Sequence, residues 1–152
     1  MEASVTRGGC GSALGGSTMK KKAKQKRKAP AKRSAPGALQ KEYYGTGQLR
    51  NVGRYANGKK TGPWKFYHRN GTPWAIGKFE RGQWVGLWKW FAGNGVVRQV
   101  GPFVKGKQDG LWKRYYGGTG KLYDIGRYRM GKKVGVWKVY DKKGKVVRSK
   151  KF

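Results

Sequence analysis

Four tryptophans, Trp64, Trp88, Trp112 and Trp137, stand 24, 24 and 25 residues apart. Glycines keep the same step: Gly53, Gly77, Gly101 and Gly126; Gly58, Gly82, Gly106 and Gly131; Gly62, Gly86, Gly110 and Gly135. So do two aromatic columns, Tyr43, Tyr67, Phe91, Tyr115 and Tyr140, and Tyr55, Phe79, Phe103, Tyr128 and Phe152. A fixed period of this length means copies of one supersecondary unit, stacked because no single copy buries its own apolar face. The extra residue of the longer step falls in 116–119, Tyr-Gly-Gly-Thr, where a turn absorbs an insertion.

Within a unit, two runs of five to seven residues carry Trp, Tyr, Phe, Val and Ile between glycines. That is strand chemistry. Each unit reads as one β-hairpin, and successive hairpins continue an antiparallel meander. The fold class is all-β, a solenoid-like array of about four and a half units over 43–152. Side chains alternate across a strand. Trp64 and Phe66 therefore share one face, while Pro63, Lys65 and Tyr67 point the other way; on the neighbouring strand Leu49, Gly53 and Tyr55 share one face, and Val52 and Arg54 the other. Glycine inside a strand weakens it unless something must approach the backbone closely. The spacing predicts an indole lying on each bare glycine, Trp64, Trp88, Trp112 and Trp137 against Gly53, Gly77, Gly101 and Gly126. Charged terminal runs, Lys41-Glu42 and residues 147–151, discourage addition of further strands.

All 21 aromatic residues lie after position 42. Residues 1–42 hold eleven lysines and arginines and two acids, in a Gly/Ser/Ala-rich stretch followed by a Lys/Arg/Ala/Pro tract. Such a segment buries too little to offset its ordering entropy and is expected to be a disordered basic tail. Met19, directly before three lysines, is an expected alternative start. No secretory signal and no membrane-spanning run is expected. The expected location is cytoplasmic, with nucleoid or nuclear association open through the basic tract 20–28. The charge is not confined to the tail. Residues 43–152 hold 26 lysines and arginines against four acids, a charge of +22.

A catalyst needs a nucleophile, an acid–base pair or a metal site. Here one cysteine, Cys10, lies in the tail, and one histidine, His68, is expected as an exposed turn residue. Glu80, Asp109 and Asp124 occupy different columns and form no repeated pair. The stretch 117–120 is glycine-rich but precedes a strand and lacks the Lys-Ser/Thr of a phosphate loop. No catalytic residue, cofactor or metal is expected, and the chain reads as a binding protein rather than an enzyme.

The cations are arranged. Lys65, Lys89, Lys113 and Lys138 each follow a repeat tryptophan and are expected in one column, roughly 10 Å per step. Arg54, Lys78 and Arg127 form a second, interrupted by Pro102. Lys59, Lys60, Lys107, Lys132 and Lys133 are placed in loops along one edge. Like charges this close repel, and an anionic partner relieves the repulsion. DNA or RNA fits, and so does an anionic membrane surface. Trp74 and Trp84 depart from the repeat: Trp74 stands where flanking units have Arg50 and Arg98, and Trp84, placed in a loop, stands where they have Lys60, Gln108 and Lys133. Either is a candidate to stack a base, anchor at a lipid interface or contact a protein. Trp90 is expected to fill core space.

The stretch 55–71, with Tyr55, Gly58, Gly62, Trp64, Tyr67 and Gly71 at these spacings, resembles the MORN (membrane occupation and recognition nexus) repeat. It is most similar to the variant form in bacterial YwqK-family antitoxins. The resemblance implies an elongated array of β-hairpins. It also implies protein binding, anionic-lipid contact or, for the bacterial variant, toxin neutralisation. A protein partner is therefore the first functional expectation, with nucleic acid and membrane as alternatives.

Overall fold

The computed structural model describes residues 37–152. The expectations for the basic tail, Cys10 and Met19 fall outside the described residues. Eleven strands follow in chain order: β1 (Leu39–Tyr43), β2 (Leu49–Ala56), β3 (Lys59–Tyr67), β4 (Pro73–Glu80), β5 (Gln83–Phe91), β6 (Val97–Val104), β7 (Lys107–Gln108), β8 (Gly110–Tyr115), β9 (Leu122–Arg129), β10 (Lys132–Tyr140) and β11 (Val146–Lys151). They form one open antiparallel sheet in sequence order, with the short β7 paired to β6. This is the expected meander of hairpins. Its first strand starts ahead of the 42/43 boundary set by aromatic content. Strand β1 needs no aromatic core residue to belong, because it is held by backbone pairing and by the Glu42 carboxylate, which accepts from Asn51 Nδ2 at 2.8 Å.

The hairpins turn through two-residue links, Asn57-Gly58, Arg81-Gly82, Lys105-Gly106 and Met130-Gly131, with positive φ at both positions. This is the backbone twist that matches a tight antiparallel pair, and glycine at the second position meets it without strain.

The core is a layer one side chain thick. Trp64, Trp88, Trp112 and Trp137 are buried. Each lies flat on the glycine of the preceding strand. A methyl group at Gly53, Gly77, Gly101 or Gly126 would stand 2.1, 2.0, 2.2 or 2.1 Å from Cδ2 of the indole above it. Around each glycine the ladder breaks register; Gly53 faces residues 62–64, between the pairs Val52–Lys65 and Arg54–Thr61. The indole Nε1–H donates to a carbonyl at that break, from Trp64 to Arg54, Trp88 to Lys78, Trp112 to Pro102 and Trp137 to Arg127, each at 3.2 Å. One side chain thus fills the gap and satisfies its own polar atom, as a buried donor must. Rings of Tyr55, Phe79, Phe103 and Tyr128 meet these indoles edge-on at 5.1–5.2 Å. Burying an indole in this way contributes roughly 3 kcal/mol or more.

Turns at the opposite end of the hairpins are tied to one another. Tyr44 Oη donates to the Tyr67 carbonyl at 2.8 Å and Tyr116 Oη to the Tyr140 carbonyl at 2.9 Å. His68 holds the equivalent position, and its Nε2 lies 3.2 Å from the Phe91 carbonyl. The histidine expected to be exposed is half-buried, standing in for a tyrosine in this turn-to-turn bond.

Candidate nucleic-acid interface

The sheet has an aromatic face and a cationic face, and the register of the strands decides what stands on the second. Across the strands run the pairs Lys41–Val52, Val52–Lys65, Lys65–Ile76, Ile76–Lys89, Lys89–Val100, Val100–Lys113, Lys113–Ile125, Ile125–Lys138 and Lys138–Ser149. This is one line with a lysine on every second strand, about 10 Å apart, separated by β-branched aliphatics. Lys65, Lys89, Lys113 and Lys138 stand in it as expected, joined at the edge by Lys41.

Two residues along each strand runs a second line of opposite phase. Arg54, Lys78 and Arg127 occupy β2, β4 and β9, Pro102 interrupts at β6, and Leu39, Pro63, Leu87, Leu111 and Val136 fill the strands between. The two lines make a checkerboard of cations and aliphatic groups. Leu39, Leu87, Leu111 and Val136 are exposed, Leu87 by 57 %. None of these cations has a carboxylate within ion-pair distance; the ion pair among the described residues, Arg114–Asp124, lies elsewhere.

The five lysines expected in loops all lie in strands, Lys59 and Lys60 in β3, Lys107 in β7, and Lys132 and Lys133 in β10, because the two-residue turns leave them no loop. Two of the five belong to the other face. Lys60 lies in β3 with Nζ 4.5 Å from the Trp64 ring, and Lys133 lies in β10 with Nζ 4.4 Å from the Trp137 ring. Each caps an indole by cation–π attraction. Trp84 corrects a further expectation, since it is in β5 rather than a loop. It takes the place of those lysines and stacks on Trp88 at 4.2 Å with 20° between planes, and on Trp90 at 5.6 Å. Trp90 is buried. Trp74 is 44 % exposed, and its one ring neighbour, Phe66, meets it edge-on at 5.9 Å.

The residues sequence reasoning did not select are Arg114 and Asp124. They are cross-strand partners on β8 and β9. Arg114 Nε donates to Asp124 Oδ1 at 2.8 Å, and Nη2 donates to Oδ2. Asp124 is 2 % exposed. Hydrogen bonding to Asp124 raises the proton affinity of the guanidinium above its ordinary value, against the opposing effect of burial. The matching pairs in other units are Phe66–Ala75 and Trp90–Gln99, so one slot accepts either rings or an ion pair. A charged pair separated by ten residues in one hairpin is the signal that was present.

Among the described residues no group of three His, Cys, Asp or Glu is placed to hold a metal, and no helix is long and apolar enough to cross a membrane. Residues 60–80 match the family described as MORN repeat variant. No curated protein matches the chain. The matched MORN-variant segment spans β3 from its second residue and all of β4, with Trp64, Gly77 and the intervening turn. Modules of this kind are protein- or membrane-binding repeats. Trp64 of the matched segment lies on Gly53 before it, Gly77 of the segment lies under Trp88 after it, and the same contact recurs at Trp112 and Trp137.

Proposed function

We propose that this chain is a non-catalytic repeat scaffold that binds nucleic acid through its cationic face. The observation that carries the reading is the line Lys41, Lys65, Lys89, Lys113 and Lys138, evenly stepped and without a carboxylate neighbour. Evenly spaced lysines on a rigid sheet suit a phosphate backbone, and binding is driven by counterion release. The contact proposed here is made by lysines to phosphates, and a contact of that kind is indifferent to sequence. The basic tract 20–28 adds to the same attraction.

The test is a salt titration of the full-length protein against a short labelled DNA or RNA duplex. Affinity is expected to fall steeply with salt. Replacing Lys65, Lys89, Lys113 and Lys138 by Gln is expected to reduce the log–log slope by roughly one per lysine. Absence of binding at low salt overturns the reading.

A second reading is a protein-interaction module of the antitoxin-like MORN-variant class. It is favoured by the exposed Leu87, Leu111 and Val136 between the cations, which suit an acidic partner with an apolar surface. Co-purification with and without nuclease separates the two, since a direct protein partner survives the nuclease.

A further inference from the structure

At one end of the aromatic face, each of the strand pairs β1–β2, β3–β4, β5–β6, β8–β9 and β10–β11 carries a bulge. Phe66 pairs with Ala75 and Tyr67 with Pro73, so Trp74 is the extra residue of β4. The same irregularity makes Arg50 the extra residue of β2 and Arg98 that of β6. A bulge re-aims a side chain out of the regular alternation. Trp74 by strict alternation belongs with Lys78 on the cationic face. Instead its ring meets Phe66 and walls two adjoining clefts, of about 420 and 460 Å³. Arg50 lines the first of these and Arg98 the second.

We propose that Trp74 and these two clefts hold a single-stranded segment of nucleic acid, one base stacking on the indole and the adjoining phosphates meeting Arg50 and Arg98. The inference rests on the nucleic-acid reading above and extends it to the opposite face. Three observations carry it. Trp74 has a flat face that no other ring stacks on, unlike Trp84 and Trp90, whose faces are used within the core. Arg50 and Arg98 flank it one unit away on either side, in its own column. The larger cleft is also lined by Arg114, whose Nη1 is free of the bonds to Asp124 and whose position that carboxylate fixes. Glu42, the acid of the smaller cleft, is engaged by Asn51 Nδ2.

Stacking on an aromatic ring tolerates any base, because every base has a π-face, but it requires the base to be unpaired. The lysine face makes no such demand. The molecule therefore divides its partners: duplex on the cationic face, unpaired strand at Trp74.

Fluorescence anisotropy with a labelled oligonucleotide of about 12 residues, single-stranded or annealed to its complement, tests this division. Trp74→Ala is expected to weaken single-strand binding roughly 5- to 150-fold and to leave duplex binding within about twofold. Trp74→Phe is expected to restore most of the loss, and Arg98→Gln to lower the single-strand salt slope by roughly one. Thermal melting of each variant checks that the sheet is intact. Unchanged single-strand affinity in Trp74→Ala overturns the inference. Wild-type binding to duplex but not to single strand overturns it while leaving the parent reading in place. Binding to neither overturns both.

Discussion

Trp88 and Lys89 are consecutive residues of β5, and they differ in almost every physical respect. Trp88 is fully buried, lies on Gly77, donates its N–H to Lys78 and touches rings from both sides. Lys89 is exposed, with Ile76 and Val100 as its cross-strand neighbours and no carboxylate in reach. The pair repeats as Trp64-Lys65, Trp112-Lys113 and Trp137-Lys138. Alternation along a strand sends the first residue to one face and the second to the other. One face therefore carries nearly all the packing, and the other is left with a charge pattern that contributes little to folding. The lesson is that stability and binding are separable in this sheet: substitutions on one face should change melting, and on the other, affinity.

The sharpest way to break that separation is Gly77→Ala. A single methyl group would stand 2.0 Å from Trp88 Cδ2, against a ring system with no room to retreat. The expected loss is about 3–5 kcal/mol in urea denaturation, large for so small a change. A loss below about 1 kcal/mol would mean the indole layer is loose. Next in size is Arg114→Ala, which strands the buried Asp124 carboxylate. Removing one partner of a fully buried pair costs ~3–5 kcal/mol; with the guanidinium side chain 44 % exposed, about 2 kcal/mol is expected. The double variant Arg114→Trp with Asp124→Gln, which copies the Trp90–Gln99 pair, should recover most of that loss. A double variant no better than Arg114→Ala would show that the slot is not interchangeable between rings and ions.

The periodicity made the meander, the indole-on-glycine contact and both cation columns legible, because each follows from a period of two laid on a period of 24–25 residues. What it hid are departures from alternation. Trp74 lies on the aromatic face because of a bulge, and a bulge has no residue-type signature here, its extra position being Arg50, Trp74, Arg98, Tyr123 or Val147. Lys60 and Trp84 look like loop residues beside a turn glycine. They lie in strands because the two-residue turns leave almost nothing between strands. The Arg114–Asp124 pair was hidden because its ten-residue separation is set by the bulge together with the extra residue of the 116–119 turn. The site that the further inference describes is therefore a product of irregular backbone, and the site proposed on the cationic face a product of regular backbone.

A smaller effect comes from pH, through the rings that flank the indoles. Burial raises the Tyr128 hydroxyl above its ordinary value of 10.0, and burial together with Glu42 raises Tyr55. A pKa higher in the folded state means stability that is present below the unfolded value and is lost as pH rises through and beyond it. Stability should therefore decline above about pH 10. The decline should be shallower in Tyr128→Phe than in wild type, and equal slopes would show that the ring is not held against the core. Smallest of all is the expected cost of the cationic face itself. Lys65, Lys89, Lys113 and Lys138 changed together to Gln should shift unfolding free energy by no more than about 0.5 kcal/mol per site. Relief of like-charge repulsion favours an increase at low salt that fades as salt screens it. A cooperative loss of several kcal/mol in that variant would mean the lysine stems pack on Val52, Ile76, Val100 and Ile125 strongly enough to hold the sheet, and the two faces would no longer divide the work between folding and binding.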